Sequence, residues 1–169
     1  HITFYDLDPQ VPDLARTYFT FLAKCGSFCD VVVADGRLAM KQAKDAEFDL
    51  LVIDAFNSDS IPAHLVSREA IAIYTSKLKP NGVLLFHVSN RYLDIEKLVT
   101  AALLDSGLPA FVRRDSGDSG SGKSGSSYVA GARRVEDLGS ILANAGWSRA
   151  SMQPDIRPWT DDYSNVLSV

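Results

Sequence analysis

Phe48-Asp49-Leu50-Leu51-Val52-Ile53-Asp54 is the stretch that decides the fold. Apart from Asp49 the run up to Ile53 is apolar, as in a parallel strand covered on both faces, and it stops at a carboxylate. The same alternation of short β-rich runs and longer helical segments continues outward from it. Upstream, residues 2–7 read as a strand and residues 9–24 as a helix. Val11, Leu14, Ala15, Tyr18, Phe19 and Leu22 fall at helical spacing there and predict one buried stripe. Residues 31–34 form a second strand ending at Asp35-Gly36, and residues 37–44 a short helix. Downstream, residues 55–62 are a loop, and Ser67 caps a helix that runs to residue 78 before Pro80-Asn81-Gly82 breaks it. Strands follow at 83–88, 110–113 and 128–132, helices at 93–104 and 135–145, and a tail from 146 to 169 carries Trp147 and Trp159.

Strand and helix alternating at these lengths predict right-handed crossovers and a Rossmann-like α/β fold. Its sheet is expected to be mostly parallel, with helices on both faces. A chain of 169 residues suffices for one compact domain, and its apolar fraction of 46% and charged fraction of 22% are ordinary globular values. A net charge of −4 argues against nonspecific nucleic-acid binding, which needs surplus Lys and Arg on one face. No run approaches the roughly 18 to 20 apolar residues of a membrane span, and no stretch reads as a signal peptide. Cys25 and Cys29 lack a second Cys or His pair, which argues against a zinc site or any other metal centre. The expectation is two half-buried thiols in a reducing compartment.

In sheets of this kind ligands bind beyond the carboxyl ends of the strands. The polar residues there are Asp6 with Asp8, Asp35, Asp54 with Asn57 and Asp59, and His87 with Ser89 and Asn90. Asp6, before a helix, can accept hydrogen bonds from two ribose hydroxyls, while Asp8 points elsewhere or caps the helix. Asp35 can accept from an exocyclic amine such as adenine N6, and Gly36 lets a flat ring approach the backbone. Asp54, after the apolar run Leu50 to Ile53, is expected to be partly desolvated and so suited to general-base work. Each aspartate also fits a plain capping or turn role. His87 reads as a base, a substrate contact or a strand-end histidine with one structural hydrogen bond. Asp161 and Asp162, beside Trp159 and Tyr163, form either the lip of an amine pocket or the solvated edge of a packed tail. The segment Gly117 to Ser124 matches the phosphate-loop pattern G-x-x-x-x-G-K-S. Residues 125–130 after it show no helical period, so residues 115–127 are expected to be a flexible Gly/Ser loop.

Taken in order, Phe4-Tyr5-Asp6-Leu7-Asp8-Pro9, Ala34-Asp35-Gly36-Arg37, Asp49 to Asp54, and Leu78-Lys79-Pro80-Asn81-Gly82-Val83 resemble successive blocks of spermidine synthases. Closer still, residues 54–62, 67–70, 86–93 and 159–165 resemble the spermidine-synthase-like domains often fused to membrane segments. The resemblance implies a methyltransferase-type fold and aminopropyl transfer from decarboxylated S-adenosylmethionine to a polyamine acceptor, without a metal. It implies that Asp6 is the ribose acid, Asp35 with Gly36 the adenine site and Asp54 the base that deprotonates the amine. Asn57, Asp59, His87, Asp161 and Asp162 would then surround the amine.

The implied partners are a small-molecule nucleoside and a polyamine, with a homo-oligomer expected. The implied location is the cytoplasm, or the cytoplasmic face of the membrane for a membrane-anchored parent. The sequence departs from the family pattern in three places. Asn57 stands where the family has a second loop aspartate, and the tyrosine that positions the base has no evident counterpart within 115–128. The first strand and its glycine-rich turn would lie before residue 1, so the expectation is an impaired fragment whose sheet repacks or borrows a strand. An S-adenosylmethionine-dependent methyltransferase and a noncatalytic binding module of a larger membrane-associated protein are the rival readings.

Overall fold

A computed structural model describes residues 1–55, 62–90, 92–118 and 120–166, with backbone alone at Ser140. The sequence pattern predicts one domain; the chain divides into two compact units, His1–Ala43 and Lys44–Val169.

In the first unit, strands β1 (Ile2–Asp6) and β2 (Cys29–Val33) pair in parallel, with Asp6 level with Val33. The helix expected over 9–24 is two, α1 (Gln10–Tyr18) and α2 (Phe21–Cys25), because Phe19 turns to extended backbone at φ −126° and ψ 152°. The predicted stripe is not buried. Leu14 is 51% exposed, Tyr18 73% and Phe19 62%, and Pro12 is the buried residue of α1. A two-stranded sheet and the short α3 (Gly36–Gln42) offer too little apolar surface within the unit to cover it. The expected free thiols are also corrected: Cys25 and Cys29 form a disulfide. The turn between them, with Gly26 at φ +57°, sets their Cα atoms 5.6 Å apart, inside the range a disulfide spans.

The second unit holds β3 (Phe48–Ile53), α4 (Arg68–Lys77), β4 (Leu78–His87), α5 (Ile95–Asp105), β5 (Ala110–Asp115), β6 (Ser126–Ala132), α6 (Gly139–Leu142) and β7 (Trp147–Arg149). Its sheet runs in the order β3-β4-β6-β5-β7. Parallel pairing holds for β3 with β4, as for β1 with β2, and the other three pairings are antiparallel. β5 and β6 are joined by a hairpin loop without a crossover helix, which only antiparallel strands allow. The helix expected at 135–145 is a 3-10 turn, Val135–Leu138, followed by the four-residue α6. β7, at three residues, is too short to leave a periodic signal in the sequence.

Both faces of this sheet are packed. On one, Leu103 of α5 lies against Gly131, and Ile95, Leu98, Val99 and Ala102 of the same helix are fully buried. Burial of each such large aliphatic chain contributes about 1.5–3 kcal/mol. On the other, Val83, Ala130, Ala132 and Leu138 form a core joined by Leu85, Phe111, Ile141, Leu142 and Trp147. The break expected at Pro80-Asn81-Gly82 is absorbed into β4 as a register shift against Phe48 and Leu50. Among the described residues β3 pairs only with β4, and Leu50 and Val52 are 48% and 54% exposed, so the strand is not covered on both faces as its composition predicts. As an edge strand it lies outside the packing centred on β4 and β6.

Candidate active site

Asp54 follows the last residue of β3, and His87 is the last residue of β4. The parallel register pairs Ile53 with Phe86, which brings Asp54 level with His87. The antiparallel register then sets Tyr128 of β6 directly opposite His87. Three neighbouring strands therefore place a carboxylate, an imidazole and a phenol in one row at the sheet's end. Oδ1 of Asp54 lies 2.7 Å from Nδ1 of His87, and the rings of His87 and Tyr128 are 4.9 Å apart with a 30° tilt. With Asp54 ionised, Nδ1 carries the shared hydrogen and a neutral ring keeps its lone pair on Nε2.

The expected desolvation of Asp54 is not found: its side chain is 66% exposed, against 29% for His87. The apolar run precedes it on an edge strand, whose end stays open to water. A specific partner, not burial, defines its surroundings. Ser89 and Asn90, also predicted at this strand end, shape the turn after β4. Oγ of Ser89 accepts from the Ser127 N–H at 2.8 Å, and Oδ1 of Asn90 accepts from the N–H groups of Tyr92 and Leu93 at 2.9 and 3.0 Å. Asn57 and Asp59 lie outside the described residues.

In the first unit, Asp6 and Asp35 come together at the ends of neighbouring parallel strands, where the Ala34 N–H donates to the Asp6 carbonyl at 2.9 Å. Oδ1 of Asp6 accepts from the Asp8 N–H at 2.9 Å, and Oδ1 of Asp8 from the Gln10 N–H at 2.8 Å as α1 begins. Asp35 is the N-cap of α3, its Oδ1 accepting from the Leu38 N–H at 2.9 Å. A side-chain carbon added at Gly36 would meet no atom within 4 Å, so open space stands over that residue.

The tail pair separates. Oδ1 of Asp161 accepts from the Ser67 hydroxyl at 2.7 Å and its N–H donates to Oε2 of Glu69 at 2.9 Å, both at the start of α4. Asp162 is exposed, Trp159 is fully buried, and the Arg157 guanidinium sits 4.2 Å over the Tyr163 ring. The segment matching the phosphate-loop pattern is the β5–β6 hairpin loop, closed by paired backbone bonds between Asp118 and Lys123 at 2.9 and 3.0 Å. No helix starts at Lys123, whose Nζ lies 2.5 Å from Oδ2 of Asp115 and holds that carboxyl below its usual range. Among the described residues, no three His, Cys, Asp or Glu side chains are grouped to hold a metal ion. Tyr128 is the site residue that sequence reasoning missed. Its only signal is its register against His87.

The model of the spermine/spermidine synthase domain matches residues 1–105. The chain belongs to the spermine/spermidine synthase domain family. Asp6, Asp35, Asp54 and His87 fall within the matched residues, and Tyr128, Asp161 and Asp162 beyond them. Over 86 residues the chain is 34% identical to the polyamine aminopropyltransferase of Vibrio vulnificus, a match that takes in 50% of this chain and 28% of that relative. The chain therefore spans only part of the curated relative it matches. In fold it is similar to the spermidine synthase of Thermotoga maritima, with a TM-score of 0.62 at 17% identity over 95% of this chain and 54% of that one. It is equally similar to human methyltransferase-like protein 13, solved in complex with SAH, with a TM-score of 0.61 at 20% identity over 98% and 76%.

Proposed function

We propose that this chain carries part of an aminopropyltransferase, which moves a propylamine group from decarboxylated S-adenosylmethionine to a polyamine acceptor. The observation that carries the reading is the Asp54–His87 hydrogen bond of 2.7 Å at the carboxyl ends of β3 and β4, in a chain of this family. In-line displacement at carbon asks the protein for positioning and for the removal of one proton. Asp54 is the carboxylate through which that proton leaves. Asp6 binds the ribose hydroxyls and Asp35 the adenine amine, with the ring lying over Gly36. Asn57, Asp59, His87, Asp161 and Asp162 are the candidate contacts of the cationic acceptor, to which carboxylates are electrostatically complementary. No metal enters the chemistry.

The uncovered apolar residues of α1 and β3 support the expectations that this stretch alone is an impaired catalyst and that the protein works as an oligomer. The reading places it in the cytoplasm, or at the cytoplasmic face of a membrane if the parent is anchored. Among the described residues, no helix is long and apolar enough to cross a membrane. The Cys25–Cys29 disulfide is the one feature that a reducing compartment opposes.

Calorimetric titration of 5′-methylthioadenosine into the parent-length protein tests the nucleoside site. Binding that Asp35→Ala abolishes supports the reading, and no binding to a well-folded protein removes it. A second reading, methyl transfer from S-adenosylmethionine, draws on the fold shared with the SAH-bound methyltransferase-like protein. Turnover that depends on added putrescine and releases 5′-methylthioadenosine favours aminopropyl transfer; release of S-adenosylhomocysteine favours the second.

A further inference from the structure

We propose that His87 is a positioning residue for Asp54. Its ring holds one carboxylate oxygen, Oδ1, and so turns the other, Oδ2, toward the acceptor amine whose proton it takes. The inference rests on the aminopropyltransferase reading and sharpens it.

Three observations carry it. Oδ1 of Asp54 lies 2.7 Å from Nδ1 of His87, while among the described residues Oδ2 makes no hydrogen bond. The Asp54 side chain is 66% exposed just beyond the end of edge strand β3, so packing does not fix its rotamer. His87 is placed to fix it: its side chain is 29% exposed, and its ring stacks at 4.9 Å on Tyr128, its partner across the ladder. The terminal torsion of an unsupported aspartate is broad. Such a side chain is held in a productive geometry by hydrogen bonds from neighbours whose own rotamers are locked by packing.

What the bond supplies is orientation. The acceptor amine arrives as an ammonium, and one of its hydrogens passes to Oδ2. The freed lone pair forms the new C–N bond as the C–S bond of the sulfonium breaks, and the electron pair leaves on sulfur as the neutral thioether. The product nitrogen carries the positive charge, and Oδ2 passes its proton to water. The attacking nitrogen must lie in line with the C–S bond while its hydrogen meets Oδ2, and a carboxylate free to turn about two torsions seldom meets both demands. Anchoring Oδ1 removes that freedom without burying the carboxylate, whose charge stays complementary to the cationic acceptor.

Two measurements test it. Nitrogen NMR of this chain reads the bond without any turnover: the neutral ring of wild type should hold hydrogen on Nδ1, and Asp54→Ala should lose that preference. Hydrogen on Nε2 in wild type, or a preference that survives in Asp54→Ala, would overturn the proposal. In the parent-length protein, His87→Ala should lower kcat by about 10²-fold, the cost of a small misplacement of reacting groups, with KM for the acceptor little changed. His87→Asn, whose amide N–H stands near the place of Nδ1, should recover most of that loss. Full kcat in His87→Ala, or no recovery in His87→Asn, would sink the proposal; turnover that still fails in Asp54→Ala leaves the aminopropyltransferase reading intact. A wild-type protein that transfers no aminopropyl group removes that reading, and this inference with it.

Discussion

The hydroxyl of Ser67 donates to Oδ1 of Asp161 at 2.7 Å while accepting from the Ala70 N–H at 3.2 Å. One side chain thereby caps α4 and fastens residues 94 positions away. The tail aspartate that lies beside the buried Trp159 serves as an anchor for the start of that helix. Asp161→Ala should lower stability by about 1 kcal/mol, the usual net worth of one such bond, and Asp162→Ala by much less. Urea denaturation of the two variants checks this. Equal midpoints would mean that the Ser67–Asp161 bond carries no net stability.

The β5–β6 loop should respond to acid. Asp115 is held below the usual carboxylate range first by its hydrogen bond to Lys123 and next by the Gly117 N–H. A depressed carboxyl contributes stability that is present above the ordinary value of about 4 and is lost as pH falls through the lower folded value. Amide exchange in residues 116–125 should therefore quicken below about pH 4 in wild type. In Asp115→Asn the same loop should already exchange fast at neutral pH and show no such acid step.

Two buried glycines should differ in their tolerance of alanine. At Gly82 the added carbon would sit 3.0 Å from the Phe48 carbonyl oxygen and from Cβ of Leu78, atoms fixed by the β3–β4 ladder. At Gly131 its neighbours are the side-chain carbons of Leu103, also at 3.0 Å, which can rotate away. Gly82→Ala should cost about 1–3 kcal/mol and Gly131→Ala less. Thermal melting of both ranks them; a greater loss at Gly131 would mean the α5 packing yields less than the ladder.

Reduction of Cys25–Cys29 should loosen the first unit. Closing so short a loop restricts the unfolded chain by roughly 2 kcal/mol in the chain-entropy account. With a reductant present, amides of β1 and β2 should exchange faster, by up to about thirtyfold for that free energy. Unchanged exchange would show that the bridge restrains the unfolded chain little.

Arg133 closes the far end of α4. Its guanidinium donates to the carbonyls of Lys79 at 2.6 Å and Leu78 at 3.2 Å, and also to that of Thr75, where the helix leaves acceptors without partners. Arg133→Ala should lower stability by about 1–3 kcal/mol, measurable as a shift in urea midpoint. Arg133→Lys should recover only part of it, since a compact ammonium lacks the rigid planar fork of donors that a guanidinium presents.

Much of this molecule was legible as local pattern. The apolar run before Asp54, the caps at Asp35 and Ser67 and the order of strands and helices all rest on contacts within a few residues in sequence. The break at Phe19 and the extension of β4 through Pro80 escaped, because each is settled by what packs alongside. The Cys25–Cys29 bridge is illegible in the sequence for a similar reason, since spacing alone does not say how tightly a turn folds back.

By itself the sequence determined the α/β class, the family and the aspartates at strand ends, since composition, periodicity and capping act over one or two turns of chain. Only the tertiary structure decided that Asp54 meets His87, that Tyr128 lies across from it, that Asp161 holds Ser67, and that the stripe on α1 stays uncovered. Strand order and register are long-range choices, set by which surfaces can be buried together, and no local run of residues encodes its own neighbour.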